Sequence, residues 1–284
     1  MLAAPGARAE LLAPFSAEQP LQMVLNARAG TSTGPYVTSA FPETTAYGVG
    51  LTLRTRLRMS TRLSLGLRVP LVLARVEQPA GALFAEAAWG NPELGFTFEL
   101  WRLERDGWTL DVATGLALGA PVAEHDDAQL AGRALAFANA LEGYGEPELF
   151  TAGVVPITPS SQLLVTSRRW CFGASLKLPV LARISTASLP PESNTRALGL
   201  VPVAELSARL QVRRWLAFSA APRLAVRAVS AVDDHASSTQ LSASGQVEFR
   251  LGNATSAAIG IQAPLGGALG GSTFAGGVSV VTAF

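Results

Sequence analysis

The sequence predicts an all-β fold, a transmembrane antiparallel up-and-down β-barrel of about twelve strands with one short helix in a long extracellular loop. Three observations lead there. Apolar residues alternate strictly with small or polar ones over segments longer than an ordinary strand. Short and long connections between those segments alternate along the chain. Four of the five tryptophans lie within a few residues of a short connection, the place an indole takes at the boundary between acyl chains and head groups.

The segments follow in order. Residues 20–29 open the series, and in 45–58 Tyr47, Val49, Leu51, Leu53 and Leu57 take one face while Gly48, Gly50, Thr52, Arg54 and Arg56 take the other. In 61–76, Leu63, Leu65, Leu67, Val69, Leu71 and Leu73 oppose Ser64, Gly66 and Arg68. Segment 91–103 sets Leu94, Phe96, Phe98 and Leu100 against Gly95, Thr97 and Glu99. After the turn Glu104-Arg105-Asp106-Gly107, segment 107–121 sets Leu110, Val112, Leu116 and Leu118 against Asp111, Ala113, Gly115, Ala117 and Gly119. Segments 156–167, 171–185, 197–212, 215–229, 237–251, 254–264 and 272–284 complete the set, and an even number suits a closed antiparallel barrel.

Connections 59–60, 104–106, 168–170, 213–214 and 252–253 are tight, whereas 30–44, 77–90, 122–155, 186–196, 230–236 and 265–271 are long. One rim therefore carries turns and the other loops, the layout of periplasmic turns and extracellular loops. Trp101, Trp108, Trp170 and Trp215 mark the turn rim as an interfacial girdle, and Trp89 begins a strand at the other rim. A soluble β-sandwich also alternates, but it has no reason to gather tryptophans at one end.

Composition narrows the function classes. Only 15% of the 284 residues are charged, and 22 Lys+Arg against 21 Asp+Glu leave a net charge of +1. A binder of nucleic acid needs a clear basic excess, so nucleic acid is not an expected partner. Every apolar run is broken by Arg, Gly or Pro before the roughly 18 residues of a spanning helix, which leaves strands as the way across a membrane. Cys171 is the single cysteine, so an intramolecular disulfide is excluded, and no Cys/His spacing points to a metal site or cofactor. Residues 1–19 form an N-terminal periplasmic segment ahead of a single barrel domain, 20–284. Within it, 1–9 reads either as the remnant of a secretory signal or as an Ala-rich start.

The last strand ends at Phe284 with Val280, Val278 and Phe274 on the same face, Thr282 being the one polar departure. This resembles the C-terminal assembly signal of bacterial outer-membrane β-barrel proteins. The stretch Gly90-Asn91-Pro92-Glu93-Leu94-Gly95 and its hairpin, down to Leu118-Gly119-Ala120-Pro121, resembles the outer-membrane transporters of the phenol-degradation and fatty-acid-uptake type. These resemblances imply a place in the bacterial outer membrane, with membrane lipid, lipopolysaccharide and the outer-membrane assembly machinery as partners. They also imply passage of small molecules, hydrophobic ones among them.

If the apolar face meets lipid, the other face lines a lumen. That lumen holds Arg54, Arg56, Arg58, Arg68, Lys177, Arg209, Arg223, Arg227 and Arg250 against Glu93, Glu99, Asp111, Glu205 and Glu248. Such charges either set the selectivity of a water-filled pore, here toward anions, or lock a plugged interior through Arg-carboxylate pairs. Loop 122–155 carries the convincing helical pattern, Leu130, Ala134, Phe137 and Leu141, opened by Asp126 and Asp127 and closed by Gly143. It folds over the mouth as a gating lid or packs as a passive cap. His125 and His235 stand beside acids in predicted loops and read as a divalent-cation site or as solvated loop residues. An enzyme is not expected, because no predicted strand carries a histidine to activate a serine. The functional expectation is passive passage of small solutes. The alternative is a non-transport barrel serving as an anchor, an adhesin or part of an envelope assembly.

Overall fold

The computed structural model describes residues 20–34, 44–77, 83–122, 128–142, 145–185, 197–228, 238–252, 254–267 and 272–284. The first half of the wall is β1 (Leu21–Gly34), β2 (Thr44–Arg58), β3 (Leu63–Glu77), β4 (Leu83–Trp89), β5 (Glu93–Arg105) and β6 (Trp108–Gly119). Two helices follow, α1 (Ala128–Leu141) and α2 (Pro147–Phe150). The second half is β7 (Val154–Ser167), β8 (Trp170–Lys177), β9 (Val180–Arg183), β10 (Leu198–Leu200), β11 (Val203–Arg213), β12 (Leu216–Arg227), β13 (Ser238–Arg250), β14 (Thr255–Gly267) and β15 (Ser272–Ala283).

Every described pairing is antiparallel between neighbours in the chain, and β15 closes on β1 with Gln22 opposite Ala283 and Thr33 opposite Ser272. The result is a closed antiparallel barrel of 12 strands. Three of those strands are written in two pieces: β4 with β5, β8 with β9, and β10 with β11. Each break falls at a proline, in Gly90-Asn91-Pro92, Leu178-Pro179 and Val201-Pro202. Proline has no N–H to give the ladder, but its carbonyl still accepts. Ala120 N–H donates to Pro92 O at 2.9 Å, Val201 N–H to Pro179 O at 3.1 Å, and Val226 N–H to Pro202 O at 2.9 Å. The wall thus bends at these levels without opening its ladder on the acceptor side.

The expected segment order holds, with two corrections. Part of the stretch 77–90, expected as loop, forms β4 and prolongs β5 beyond the Pro92 break. Trp89 accordingly does not begin a strand at the loop rim. It ends β4 partway down the wall, opposite Leu71, with its ring outward.

Alternation sorts the side chains as the sequence implies. Leu53, Leu73, Phe96, Leu116, Phe172, Phe218, Ile259, Ile261 and Val278 are exposed on the outside, while Thr52, Arg54, Glu93, Arg223, Ser242 and Glu248 are buried inside. That inversion of a soluble core is what a lipid-facing barrel needs. Ile261, 72% exposed near the middle of β14, gives a direct check. Ile261→Arg is expected to destabilise the vesicle-folded protein by about 2–4 kcal/mol, as a cation near the bilayer midplane does, and Ile261→Leu by far less. Urea unfolding in vesicles measures both.

One irregularity redirects two side chains. The β5–β6 register shifts between Glu99 and Trp101, so Leu100 and Trp101 both face outward and Arg102, not Trp101, turns toward Asp111. A bulge of this kind inserts one residue and reverses the parity beyond it.

The largest departure from expectation is the place of the helices. The periodicity in 122–155 suggested a helix lying over the mouth, as lid or cap, with one covered face. Instead α1 and α2 sit inside the barrel. Residues 134–141 of α1 are buried on every side, including Leu135, Phe137, Ala138 and Leu141, and so is all of α2. They pack with inward wall residues Ala46, Val72, Ala74, Ala88, Val203, Ala225 and Ala275 in one core cluster. The physical reason is visible in the residues: 134–141 is almost wholly apolar around the helix, and such a helix is buried all round rather than laid on a surface. Gly30 permits the approach, since a Cβ there would stand 2.8 Å from a Leu141 methyl.

Candidate functional site

The inward face of the first hairpin is strongly basic, and register makes this acute. Arg54 on β2 and Arg68 on β3 are direct cross-strand partners. Like charges so placed repel, and the neighbouring wall offers them Glu93, which pairs with Arg68 across β3–β5. The remaining counter-charge comes from the plug.

α2 and the residue before it carry Glu146 and Glu148 down onto this face. Glu146 bonds Arg54, and its Oε1 lies 3.4 Å from Arg68 Nη1. Glu148 Oε1 accepts from Arg68 Nη2 at 3.0 Å and from Lys177 Nζ at 3.1 Å. Asn91, at the Pro92 break, holds the helix from the side, its Nδ2 donating to Glu148 O at 3.1 Å and to Thr151 O at 2.7 Å. At the end of α1, Glu142 takes Arg28 Nε at 3.1 Å, and its carbonyl accepts from Arg223 Nη1 at 2.7 Å. Arg223 in turn grips Glu205. The plug is therefore tied to β1, β2, β3 and β8 by ion pairs, to β12 by the Arg223 hydrogen bond to the Glu142 carbonyl, and to the wall by packing.

Beneath the plug, toward the turn rim, lies a partly open space. Arg54, Arg56, Arg68, Glu93, Thr158 and Lys177 are among the residues that line it. A second, smaller space lies between β1, β13, β14 and β15, lined by Asn26, Arg28, Gln246 and Gln262 among others. Arg28 also donates to Gln262.

The structure disperses the other sequence-predicted lumen residues along the barrel. Arg56 donates to Ser64 Oγ at 3.1 Å. Lower in the barrel Arg209 pairs with Glu248 at 2.8 Å, and Arg102 joins Asp111 at 2.5 Å and Glu99 at 3.2 Å. Arg58 and Arg250 stand at the turn rim, donating to Ser60 O at 3.1 Å and Gly252 O at 2.9 Å. Arg227 lies on the inward face of β12, near the loop rim.

Of the residues expected to gate the mouth, Phe137 and Leu141 are in the plug core; the Leu130 side chain lies outside the described residues, as do Asp126, Asp127, Gly143, His125 and His235. Trp101, Trp108, Trp170 and Trp215 are exposed beside turns, with Trp170 5.0 Å from the Phe172 ring. Phe284 is exposed, and its N–H donates to Leu21 O at 2.8 Å beside the β15–β1 seam.

Sequence reasoning missed Arg28, Arg102, Glu142, Glu146 and Glu148. Arg28 was readable from Gln22, Asn26 and Arg28 at even spacing. Arg102 was hidden by the bulge. The three glutamates had one signal, a basic first hairpin without facing acids.

No protein-family model matches the sequence, and no curated protein matches it. Solved structures do match in fold. The COG4313 outer-membrane channel from Pseudomonas putida F1 superposes with a TM-score of 0.68 at 12% identity, over 99% of this chain and 100% of that one. The NanC porin superposes with a TM-score of 0.53 at 9% identity, over 91% of this chain and 98% of that one. The chain thus has the fold of outer-membrane β-barrel channels and porins.

Proposed function

We propose that this protein is a channel of the bacterial outer membrane, passing small solutes down their gradients through a lumen that the loop between β6 and β7 narrows. What carries the reading is the space under the plug, onto which Arg54, Arg56, Arg68 and Lys177 of the wall converge with Glu93, the single acid among the described residues that line it. A cation-rich constriction favours anions or anionic groups on a solute. The likeness of fold to channels and porins supports the same reading. Around the barrel, lipid and lipopolysaccharide would meet the apolar outer face, Trp101, Trp108, Trp170 and Trp215 would sit at the interface, and Phe284 would serve recognition by the assembly machinery.

The test is single-channel recording of the detergent-refolded protein in a planar bilayer under a salt gradient. Small, intermittent steps with anion preference are expected, because the plug obstructs most of the lumen. Silence from a protein shown to be folded would sink the channel reading. The ion-paired plug itself favours a second one, a non-transport barrel with a sealed lumen, and silence would leave that standing.

A further inference from the structure

We propose that Arg54, Arg68 and Lys177 form a binding site for a small organic dicarboxylate, and that Glu146 and Glu148 hold the plug in place by occupying that site as built-in ligands. The inference rests on the channel reading for its biological meaning, and it names the solute class.

The wall by itself presents an incomplete site. Arg54 and Arg68 oppose each other in register, and Lys177 reaches the same two glutamates from β8, its Nζ 3.1 Å from Glu148 Oε1 and 3.9 Å from Glu146 Oε1. Among the described residues that line this space, Arg54, Arg56, Arg68 and Lys177 face one wall carboxylate, Glu93. With the plug in place, Glu146 and Glu148 bring the anions to three. With the plug withdrawn, Arg54, Arg68 and Lys177 lose the two carboxylates that α2 and the residue before it bring, and a low-dielectric wall makes that costly. A dianion replaces both lost carboxylates; chloride or a monocarboxylate replaces one.

Geometry agrees with charge. The two glutamates are two residues apart on one short segment, so both carboxylates descend together onto the cations, as the two ends of one small molecule would. Their hold is incomplete: Glu148 is fully buried, yet its Oε2 has no hydrogen-bond partner. A solute free to orient both oxygens of each carboxylate binds the same guanidinium groups better, since paired N–H donors match a carboxylate in parallel. The space beneath the plug opens directly onto Arg54, Arg68 and Lys177, so a solute that reaches it meets the same cations the glutamates hold. Entry of the dianion and departure of the plug then become one exchange. Carboxylate replaces carboxylate on the same cations, and the lumen opens when its solute is present.

The test uses the full chain folded in detergent and reads amide hydrogen exchange across 145–151, with succinate as the probe. Sodium chloride at equal ionic strength controls for screening, and acetate at equal concentration for monocarboxylates. Succinate is expected to speed exchange in this segment about tenfold beyond either control, the effect of a bias of one tenfold step in a two-state equilibrium. In Glu148→Gln the built-in competitor is weakened, so the succinate concentration giving half the effect is expected to fall several-fold. Equal effects of succinate and chloride, or no effect of either, would overturn the proposal, and the wild-type comparison needs no variant to decide it. An unchanged half-effect concentration in a folded Glu148→Gln protein would overturn it too. The exchange readout requires no ion flow. A silent bilayer with succinate-dependent loosening would therefore fell the channel reading alone, and conduction without loosening would fell this site alone.

Discussion

Arg68→Ala is expected to release the plug from the wall and raise channel conductance. Arg68 is the hub of the lumen network, bonded to Glu93, within 3.0 Å of Glu148 and within 3.4 Å of Glu146. Its removal leaves three buried carboxylates facing Arg54 and Lys177. Deleting one partner of a buried ion pair costs about 3–5 kcal/mol, because the charge left behind is neither solvated nor paired. The wall can relieve that cost locally by letting α2 leave. The expected outcome is a barrel that still migrates as folded in unheated electrophoresis, with open probability raised about a hundredfold for every 3 kcal/mol taken from the plug. Arg68→Lys keeps the charge but not the fork that reaches several carboxylates, and should fall between. Unchanged gating in Arg68→Ala would show that charge does not hold the plug.

Phe137→Ala addresses the other half of the attachment. Phe137 is among the largest fully buried side chains and sits in the cluster with Ala46, Val72 and Leu141. Replacing a buried phenylalanine by alanine costs about 3–5 kcal/mol in lost transfer energy and cavity. Because the plug is tethered at both ends and the wall has its own ladder, the loss falls on plug docking rather than on the barrel. Hydrogen exchange across 134–142 should rise strongly, while the midpoint of barrel unfolding moves little. A matched drop in both would mean that plug and wall fold as one cooperative unit. If both losses were confined to docking, the double variant should show approximately additive effects, since Phe137 acts through apolar packing and Arg68 through ion pairs.

Much of the wall was legible because strand patterning is local. The period of two in 45–58 and 61–76 puts Leu53 and Leu67 outside and Arg54 and Arg68 inside whatever the partner strands are. The rims were legible for a similar reason, since each short turn declares itself between two alternating segments. The interior was legible in composition only. Parity brings Arg54 and Arg68 inward, but which carboxylate meets them is settled between residues 92 and 78 positions apart in the chain, Glu146 with Arg54 and Glu146 with Arg68. Where local pattern was disturbed, reading failed in definite ways. The bulge at Glu99 to Trp101 exchanged Trp101 and Arg102 between faces, and the Pro92 break hid β4 in what reads as loop.

The amino-acid sequence by itself thus determined a closed, inverted barrel with a basic first hairpin and a helix in its longest loop. Alternation, turn residues and helical periodicity are properties of short stretches, and each acts without knowledge of the rest. Only the tertiary structure decided that the helix lies within the lumen and that Glu142, Glu146 and Glu148 complete the charge of the wall. An apolar helix with flanking carboxylates has no preferred place until a cavity of matching size and opposite charge exists to receive it, and the closed wall is what makes that cavity.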